Sequence, residues 1–220
     1  MTMKLFSYWR SSASYRVRIA LNLKQIDYEY CPVHLVKNGG EQHSDEYTNL
    51  NPGHLVPTLV DEDNENDIIL NQSLAIIEYL DERFPEVSRL LPEHKLDRAR
   101  VRTVSYDLAC DAQPIQNLRV LQYLESNLSA SSDDKTAWAK HWIESAFTSV
   151  EKRIQNTAAD FCFGFNVTMA DVVLVPQHYN AVRFGVDMEQ FPLIERVVAH
   201  CNNLPAFEKA KPENQPDAVQ

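Results

Sequence analysis

The sequence predicts a two-domain α+β protein, in which a βαβ–ββα segment precedes an all-helical segment. Strand, helix and strand patterns follow one another at the start of the chain, and a hairpin and a second helix complete this segment. From about residue 96 onward, apolar residues recur three and four positions apart, which is helical spacing. We therefore expect domains at residues 1–84 and 93–220, joined by a proline-containing linker at residues 85–92.

The first segment begins with a short strand at Leu5–Tyr8, and a helix with a broad apolar face follows it. Asp27–Leu35 alternates between apolar and polar residues, which is typical of a second strand. Strand, helix and strand over so short a stretch form a βαβ unit, so we expect these two strands to be parallel. A polar loop is predicted over residues 37–49.

Serines stand at the corner between the first strand and the first helix: Ser11, Ser12 and Ser14. A helix start leaves backbone N–H groups unpaired and carries partial positive charge, so it favours an anion such as a thiolate. Arg10, Arg16 and Arg18 add positive charge nearby. The alternative is a plain serine cap at the start of a basic helix, because serine is a common residue at that position.

A proline opens the next strand, at Leu55–Val60. If the Val56–Pro57 bond is cis, Val56 can turn its backbone N–H and C=O towards a peptide-shaped ligand. The alternative is an ordinary trans proline at a strand edge. Strands at Thr58–Val60 and Ile68–Leu70 then form a hairpin around an acidic loop, residues 61–66.

The helix after the hairpin has a polar start formed by Gln72 and Ser73. These side chains either cap the helix or hold the carboxylate of a ligand. Both possibilities use the same unpaired N–H groups, so this stretch alone does not separate them.

The composition excludes several classes of function. A net charge of −10 argues against general binding of nucleic acids or anionic membranes, and no apolar run is long enough to span a bilayer. The N-terminal residues lack the apolar core of a signal peptide, so we expect a cytoplasmic protein. The 4 cysteines form no Cys-x-x-Cys pair and the 7 histidines show no ligand spacing, so we expect buried free thiols and no metal site.

The second segment is predicted to be helical throughout. A helix at about residues 96–123 is broken or kinked by Pro114, and another follows at about residues 135–157. Thr168 and Asp171 form a capping box at the start of a further helix. The tail from about residue 211 is rich in proline and acidic residues, so we expect it to be mobile.

Three sequence motifs, taken in chain order, are similar to those of a known protein family. Ser-Ser-x-Ser-Tyr-Arg-Val-Arg-Ile-Ala-Leu at residues 11–21 is followed by Val-Pro-Thr-Leu at residues 56–59 and Gln-Ser-Leu-Ala-Ile-Ile-Glu-Tyr-Leu at residues 72–80. Together they resemble the zeta class of the glutathione transferases over nearly the whole chain. The resemblance implies a thioredoxin-like N-terminal domain, an all-helical C-terminal domain, glutathione as cofactor and a homodimer.

The resemblance also implies the site residues. Those that match catalytic positions are Arg10, Ser11, Ser12 and Arg183, where Ser11 would activate the thiolate and the arginines would hold substrate carboxylates. Those that match glutathione-binding positions are Ser11, Ser12, Ser14, Arg16, Gln42, Val56, Gln72, Ser73, Gln113, Asn117 and Arg119. Ala13 stands where zeta members often have cysteine, so the site lacks that protein thiol.

The implied reaction is the glutathione-dependent cis–trans isomerisation of maleylacetoacetate, a dicarboxylate of tyrosine and phenylalanine catabolism. The thiolate adds to the cis double bond, the resulting single bond rotates, and elimination leaves the trans isomer. Maleylpyruvate is an alternative substrate, and general glutathione conjugation or α-haloacid dehalogenation is an alternative activity. A binding or regulatory protein on the same scaffold is the non-enzymatic alternative.

Overall fold

The computed structural model describes residues 2–63 and 66–218. These residues form two compact units: Met1–Arg89 together with Leu204–Gln220, and Leu90–Asn203. The predicted division put the last seventeen residues with the helical domain, whereas the structure groups them with the first unit. The reason is burial: Phe207 and Ala210 are fully buried, and the buried Arg18 donates from Nε to the Ala210 carbonyl at 3.0 Å.

The first unit contains a four-stranded sheet. Its strands are β1 (Thr2–Ser7), β2 (Tyr28–Pro32), β3 (Thr58–Asp63) and β4 (Asn66–Asn71), in the order β2-β1-β3-β4. β1 and β2 are parallel, as predicted for a βαβ unit, and β3 is antiparallel to β1 and β4. The C-terminal ends of β1, β2 and β4 therefore meet the start of β3 at one edge of the sheet.

The α-helices, in chain order, are α1 (Ser12–Leu23), α2 (Asp45–Leu50), α3 (Ser73–Arg83), α4 (Lys95–Tyr106), α5 (Gln113–Ile115), α6 (Leu118–Leu128), α7 (Ser132–Ile154), α8 (Met169–Arg183), α9 (Pro192–Asn202) and α10 (Pro205–Ala210). In the first unit α1 packs against α3 and α10. Leu5, Ile19 and Ile76 are fully buried in this unit. The thioredoxin-like βαβ–ββα arrangement followed by a helical region is confirmed.

Two predicted segments differ from the structure at their ends. The predicted polar loop contains α2, because the Ser44 hydroxyl accepts a hydrogen bond from Tyr47 N–H and acidic residues occupy the first turn. The predicted helix at 135–157 begins earlier, at Ser132, since Ser131 and Asp134 form a capping box. In both cases a capping serine begins a helix inside a polar stretch, where apolar spacing does not indicate a helix.

The second unit is helical. A π-helical stretch, Asp107–Ala112, follows α4, and the backbone leaves helical geometry at Gln116 and Asn117, just after the predicted break. The predicted capping box at the start of α8 is confirmed, with Thr168 and Asp171 as its members. Asp171 also accepts a hydrogen bond from Cys162 N–H, so this carboxylate ties two segments of the unit together.

Three further predictions can be compared with the described residues. Strands β3 and β4 extend into the predicted acidic loop, whose residues 64 and 65 lie outside the described residues. The cysteines are free, as predicted, but only Cys162 and Cys201 are buried, while Cys31 is half-buried and Cys110 exposed. None of the described helices is long and apolar enough to cross a bilayer.

Candidate functional site

The sheet topology brings four predicted binding segments to one edge. Register pairs Ser7 with Pro32, Phe6 with Thr58, and Thr58 with Asn71 at this edge. The serine corner follows β1, the turn carrying Gln42 follows β2, Val56 precedes β3 and Gln72 follows β4. Residues that are distant in the sequence thus converge on one side of the first unit.

Ser11 is the N-cap of α1, and its geometry is that of a capping serine. Its backbone is extended, and its Oγ accepts a hydrogen bond from Ser14 N–H at 3.2 Å. The serine is half-buried, and capping uses only the acceptor capacity of its hydroxyl. The hydroxyl proton therefore stays available to donate to an anion above the helix start.

The rest of the corner is buried. Ser12 and Arg16 are nearly inaccessible and Ser14 is fully so. The buried Ser14 Oγ has no hydrogen-bond partner among the described residues. A buried hydroxyl without a partner costs free energy, so this atom favours a polar ligand nearby.

Val56 presents backbone groups at the same edge. The Val56–Pro57 bond is cis. The Val56 side chain is 8% exposed and belongs to an apolar cluster with Tyr8, Val33 and Tyr47. Its backbone N–H and C=O make no hydrogen bond to another described residue, so they are free to pair with an extended peptide.

A polar network that the sequence pattern does not predict fixes the backbone beside Val56. The Tyr47 hydroxyl donates to the Leu55 carbonyl at 2.6 Å and lies 3.0 Å from Thr58 Oγ1. Thr58 in turn donates to Asn71 Oδ1 at 2.7 Å. Burial raises the pKa of Tyr47, so its hydroxyl keeps the proton that it donates. The network links the start of β3 to the end of β4. No sequence motif indicates it, because its members are far apart in the sequence.

Gln42 lies in a 3-10 turn, Glu41–His43, and its side chain is almost fully buried. Nε2 donates to the Leu35 carbonyl at 3.4 Å, while Oε1 has no partner among the described residues. Gly40, at φ +99°, packs so closely that a Cβ there would lie 2.5 Å from Gln42 Nε2. Because glycine has no Cβ, the Gln42 amide can occupy this space. Its unpaired oxygen can accept a hydrogen bond from an ammonium or N–H group of a ligand.

The start of α3 offers a second helix terminus. Gln72 is the N-cap residue, with φ +70°, yet its side chain makes no capping hydrogen bond. Ser73, the first helical residue, is largely buried. Of the two roles considered for Gln72, the structure excludes capping, so its exposed amide is available to a ligand carboxylate at this terminus.

The arginines predicted to bind substrate are exposed. The Arg10 guanidinium carbon lies 5.4 Å from the centroid of the Trp9 ring, and that of Arg183 lies 4.5 Å from the Phe184 ring. Arg183 is the last residue of α8. Contact with an aromatic ring at these distances helps to orient a guanidinium group.

The remaining predicted residues belong to the second unit. Gln113 is the first residue of α5, and Asn117 caps α6 by accepting from Arg119 N–H at 3.2 Å. The Arg119 side chain is exposed. Trp138 anchors this stretch because its indole N–H donates to the Ile115 carbonyl at 2.8 Å. Asn117 thus has at least a capping role, which the sequence pattern did not reveal.

Among the described residues, no group of three or more His, Cys, Asp or Glu side chains is placed to hold a metal ion. The edge of the first unit instead combines two helix starts, unpaired hydroxyl and amide groups, and a free backbone segment. Such a set suits a peptide-like ligand that carries a carboxylate and a thiolate.

Comparison with known proteins identifies relatives of this chain. The family model described as glutathione S-transferase, N-terminal domain, matches residues 10–83. A Vibrio cholerae protein named probable maleylacetoacetate isomerase is 49% identical over 218 residues, covering 99% of both chains.

Solved structures show the same relationship. A bacterial zeta-class glutathione S-transferase described as maleyl pyruvate isomerase superposes with a TM-score of 0.92 at 42% identity, over 98% of this chain and 100% of that one. Maleylacetoacetate isomerase from Anaeromyxobacter dehalogenans, with dicarboxyethyl glutathione and citrate in its active site, gives a TM-score of 0.88 at 39% identity, over 99% of this chain and 94% of that one.

Proposed function

Because the chain belongs to the zeta class of the glutathione transferase family, we propose that it isomerises maleylacetoacetate to fumarylacetoacetate with glutathione as its cofactor. The observation that supports the proposal is the start of α1, where the half-buried Ser11 hydroxyl caps the helix. A hydroxyl beside helix N–H groups is suited to stabilise a thiolate. Fold, family and site residues all agree with this activity.

The edge of the first unit fits glutathione. The buried Ser14 hydroxyl and the Gln42 amide oxygen both lack protein partners among the described residues, and both are suited to polar groups of a tripeptide. The free backbone of Val56 pairs with the cysteinyl peptide unit, and Gln72 with Ser73 holds the γ-glutamyl carboxylate. We assign Ser12 and Arg16, which belong to the same serine corner, to this site.

When bound, glutathione supplies the thiolate that adds to the cis double bond and leaves again after the new single bond has rotated. The chain's own part is to keep that sulfur ionised. A free thiol has a pKa of about 8.5, and a donating hydroxyl beside a helix start lowers it. Ser11 is the donor, and the α1 terminus adds its partial positive charge.

The substrate brings two carboxylates, and arginine is the side chain that binds a carboxylate with two parallel hydrogen bonds. Arg183 and Arg10 have exposed guanidinium groups held by neighbouring rings, so we assign them to these carboxylates. The small carboxylate ligand citrate in the Anaeromyxobacter relative supports this substrate class. From the family resemblance we also propose that Gln113, Asn117 and Arg119 take part in ligand binding.

Maleylpyruvate is the second candidate substrate, favoured by the relative described as maleyl pyruvate isomerase. It carries the same cis double bond between carboxylate-bearing ends, so the same residues would act on it. Comparison of kcat/KM for the two compounds with one enzyme preparation decides between them, and a higher value for maleylpyruvate would reassign the substrate.

The test of the function is an isomerisation assay with purified protein, maleylacetoacetate and glutathione. We expect conversion to the trans isomer that requires glutathione without consuming it. Turnover in the absence of glutathione, or glutathione consumed in proportion to product, would contradict the mechanism. Binding of glutathione without turnover of either compound would favour conjugation, dehalogenation or a binding role.

We also propose that the protein is a cytoplasmic homodimer. Membership of the family supports the dimer, and the free cysteines agree with a reducing compartment. Sedimentation velocity should give twice the mass of the chain, and a species with the mass of one chain at micromolar concentration would contradict the dimer.

A further inference from the structure

We propose that Asp217, near the C-terminus, is a positioning residue for the turn that presents Ser11. The inference rests on the proposed function for the role of Ser11, but the contacts that carry it lie wholly within the first unit. It gives a purpose to a segment that the sequence analysis expected to be mobile.

Asp217 contacts the turn directly. Its Oδ2 accepts a hydrogen bond from Trp9 N–H at 3.1 Å, and its Oδ1 accepts from the Tyr30 hydroxyl at 2.6 Å. Burial and the bond to Asp217 both raise the pKa of Tyr30, so this hydroxyl remains a donor. The carboxylate is therefore fixed by β2 on one side and holds the turn on the other.

The opposite face of the turn is held by Arg18. This fully buried guanidinium donates from Nη2 to the Trp9 carbonyl at 2.9 Å and from Nη1 to the Tyr8 carbonyl at 3.4 Å. Its Nε donates to the Ala210 carbonyl at 3.0 Å, at the end of α10. Both backbone polar groups of Trp9 are thus held by side chains.

The turn fixes the position of Ser11. Ser11 N–H donates to the Tyr8 carbonyl at 3.0 Å, so Trp9 and Arg10 are the two central residues of a four-residue turn. A shift of Trp9 would move both the Ser11 hydroxyl and the Arg10 side chain. Because an error of a fraction of an ångström weakens catalysis, the residue that holds Trp9 affects the site without touching a ligand.

The segment that carries Asp217 is itself well anchored. The Gln215 amide donates to the carbonyls of Lys209 and Lys211 at 3.0 and 2.8 Å, and the Gln215 side chain is almost fully buried. Pro212 is buried as well. These contacts explain why a polar, proline-rich tail is ordered enough to place a carboxylate on a distant turn.

The test uses three variants of the full chain: Asp217→Ala, Asp217→Asn and Asn214→Ala. Alanine removes both hydrogen bonds, whereas asparagine keeps an oxygen for Trp9 N–H and an amide for the Tyr30 oxygen. Asn214 is the matched control, because among the described residues its side-chain amide donates only to Glu208 and makes no hydrogen bond to the turn. The readouts are hydrogen exchange at residues 8–12 without glutathione, glutathione affinity, kcat and the melting temperature.

We expect Asp217→Ala to speed exchange at residues 8–12 by roughly tenfold, the usual effect of losing a hydrogen bond to a charged group. Glutathione affinity and kcat should each fall several-fold, and Asp217→Asn should restore most of both. Unchanged exchange in Asp217→Ala, an equal effect of Asn214→Ala, or no rescue by asparagine would overturn the proposal. Since exchange is measured without substrate, it tests Asp217 even if the enzyme proves inactive on maleylacetoacetate.

Discussion

At the residue scale, we propose that the Ser11 hydroxyl has two roles, as the cap of α1 and as a hydrogen-bond donor to the thiolate. The hydroxyl oxygen accepts a hydrogen bond from Ser14 N–H and so caps α1. The hydroxyl proton can then point towards an anion that binds above the helix start. A cap contributes on the order of 1 kcal/mol to stability, while a donor aimed at developing charge affects rate far more. Stability and rate therefore report on different parts of the same side chain.

Ser11→Ala should lower the free energy of unfolding by about 1 kcal/mol and kcat by roughly a hundredfold, because both cap and donor are lost. Ser11→Thr should keep much of both. Ser131→Ala is the control, since Ser131 caps α7 in the second unit and should cost the same stability without affecting kcat. Denaturation and isomerisation assays on the same preparations check this, and equal rate losses in the two alanine variants would contradict it.

Gly40→Ala tests the placement of Gln42. The new Cβ would lie 2.5 Å from Gln42 Nε2 and displace the amide, so we expect glutathione affinity to fall several-fold. Gly39→Ala is a close control, because Gly39 also has positive φ, at +82°, but nothing within 4 Å of the new Cβ. Both should lose stability through backbone strain, on the order of 1–3 kcal/mol each, and Gly40→Ala should lose more, because its φ of +99° and ψ of +111° lie outside the left-handed helical region. Calorimetric titration with glutathione separates them, and equal affinities would remove Gln42 from the site.

Arg183→Ala should raise the KM for maleylacetoacetate by about tenfold or more while leaving glutathione affinity unchanged, because a bidentate carboxylate partner is lost. Arg100→Ala is the control, an exposed arginine paired only with Asp97 among its described partners. Steady-state kinetics with each compound varied in turn measures both constants. Equal losses for glutathione and substrate would argue that Arg183 does not bind the substrate.

At the element scale, the sequence pattern predicts the sheet, α1, α3 and the capped start of α8, because their apolar spacing or capping residues are local signals. It misses α2, and it places the start of α7 too late, since both helices begin with polar caps inside polar stretches. The Tyr47–Thr58–Asn71 network is missed for another reason: the β3–β4 register pairs Thr58 with Asn71, and only the tertiary fold brings Tyr47 of α2 to Thr58.

A buried ion pair joins α1 to α3. Lys24 Nζ, at the end of α1, lies 2.7 Å from Asp81 Oδ1 and donates to the Phe84 carbonyl at 2.9 Å. Asp81→Leu should cost about 3–5 kcal/mol because it leaves a buried ammonium without its counter-charge. The double variant Lys24→Met/Asp81→Leu should recover most of that loss.

Urea denaturation measures these effects, and Asp97→Asn supplies an exposed comparison, for which we expect about 1 kcal/mol or less. A double variant as unstable as Asp81→Leu alone would show that the packing of α1 on α3, rather than the uncompensated charge, limits stability.

At the scale of the whole molecule, the chain does not divide at a single point. The last segment returns to the first unit, which the sequence does not reveal because prolines and acidic residues are typical of mobile tails. The fully buried Arg18 is the physical reason for the return, since its guanidinium needs acceptors and finds one at Ala210. The backbone of Trp9 is correspondingly held by side chains from both ends of the chain, Arg18 and Asp217.

Glutathione should stabilise the whole protein by mass action. At a concentration one hundred times its dissociation constant we expect a gain of about 2.7 kcal/mol in the free energy of unfolding. An equimolar mixture of free glutamate, cysteine and glycine is the control and should have almost no effect. Thermal melts at increasing glutathione concentration measure the gain, and a melting temperature independent of glutathione would contradict a preformed tripeptide site.

The central claim is that the serine-capped start of α1 keeps the glutathione thiol ionised. Titration of the bound thiol by its thiolate absorbance, in the wild type and in Ser11→Ala, tests it most directly. We expect the pKa of the bound thiol to lie clearly below the free value of about 8.5 in the wild type and to rise towards that value in the variant. A bound thiol that titrates like free glutathione in the wild type, or equally in both proteins, would contradict it.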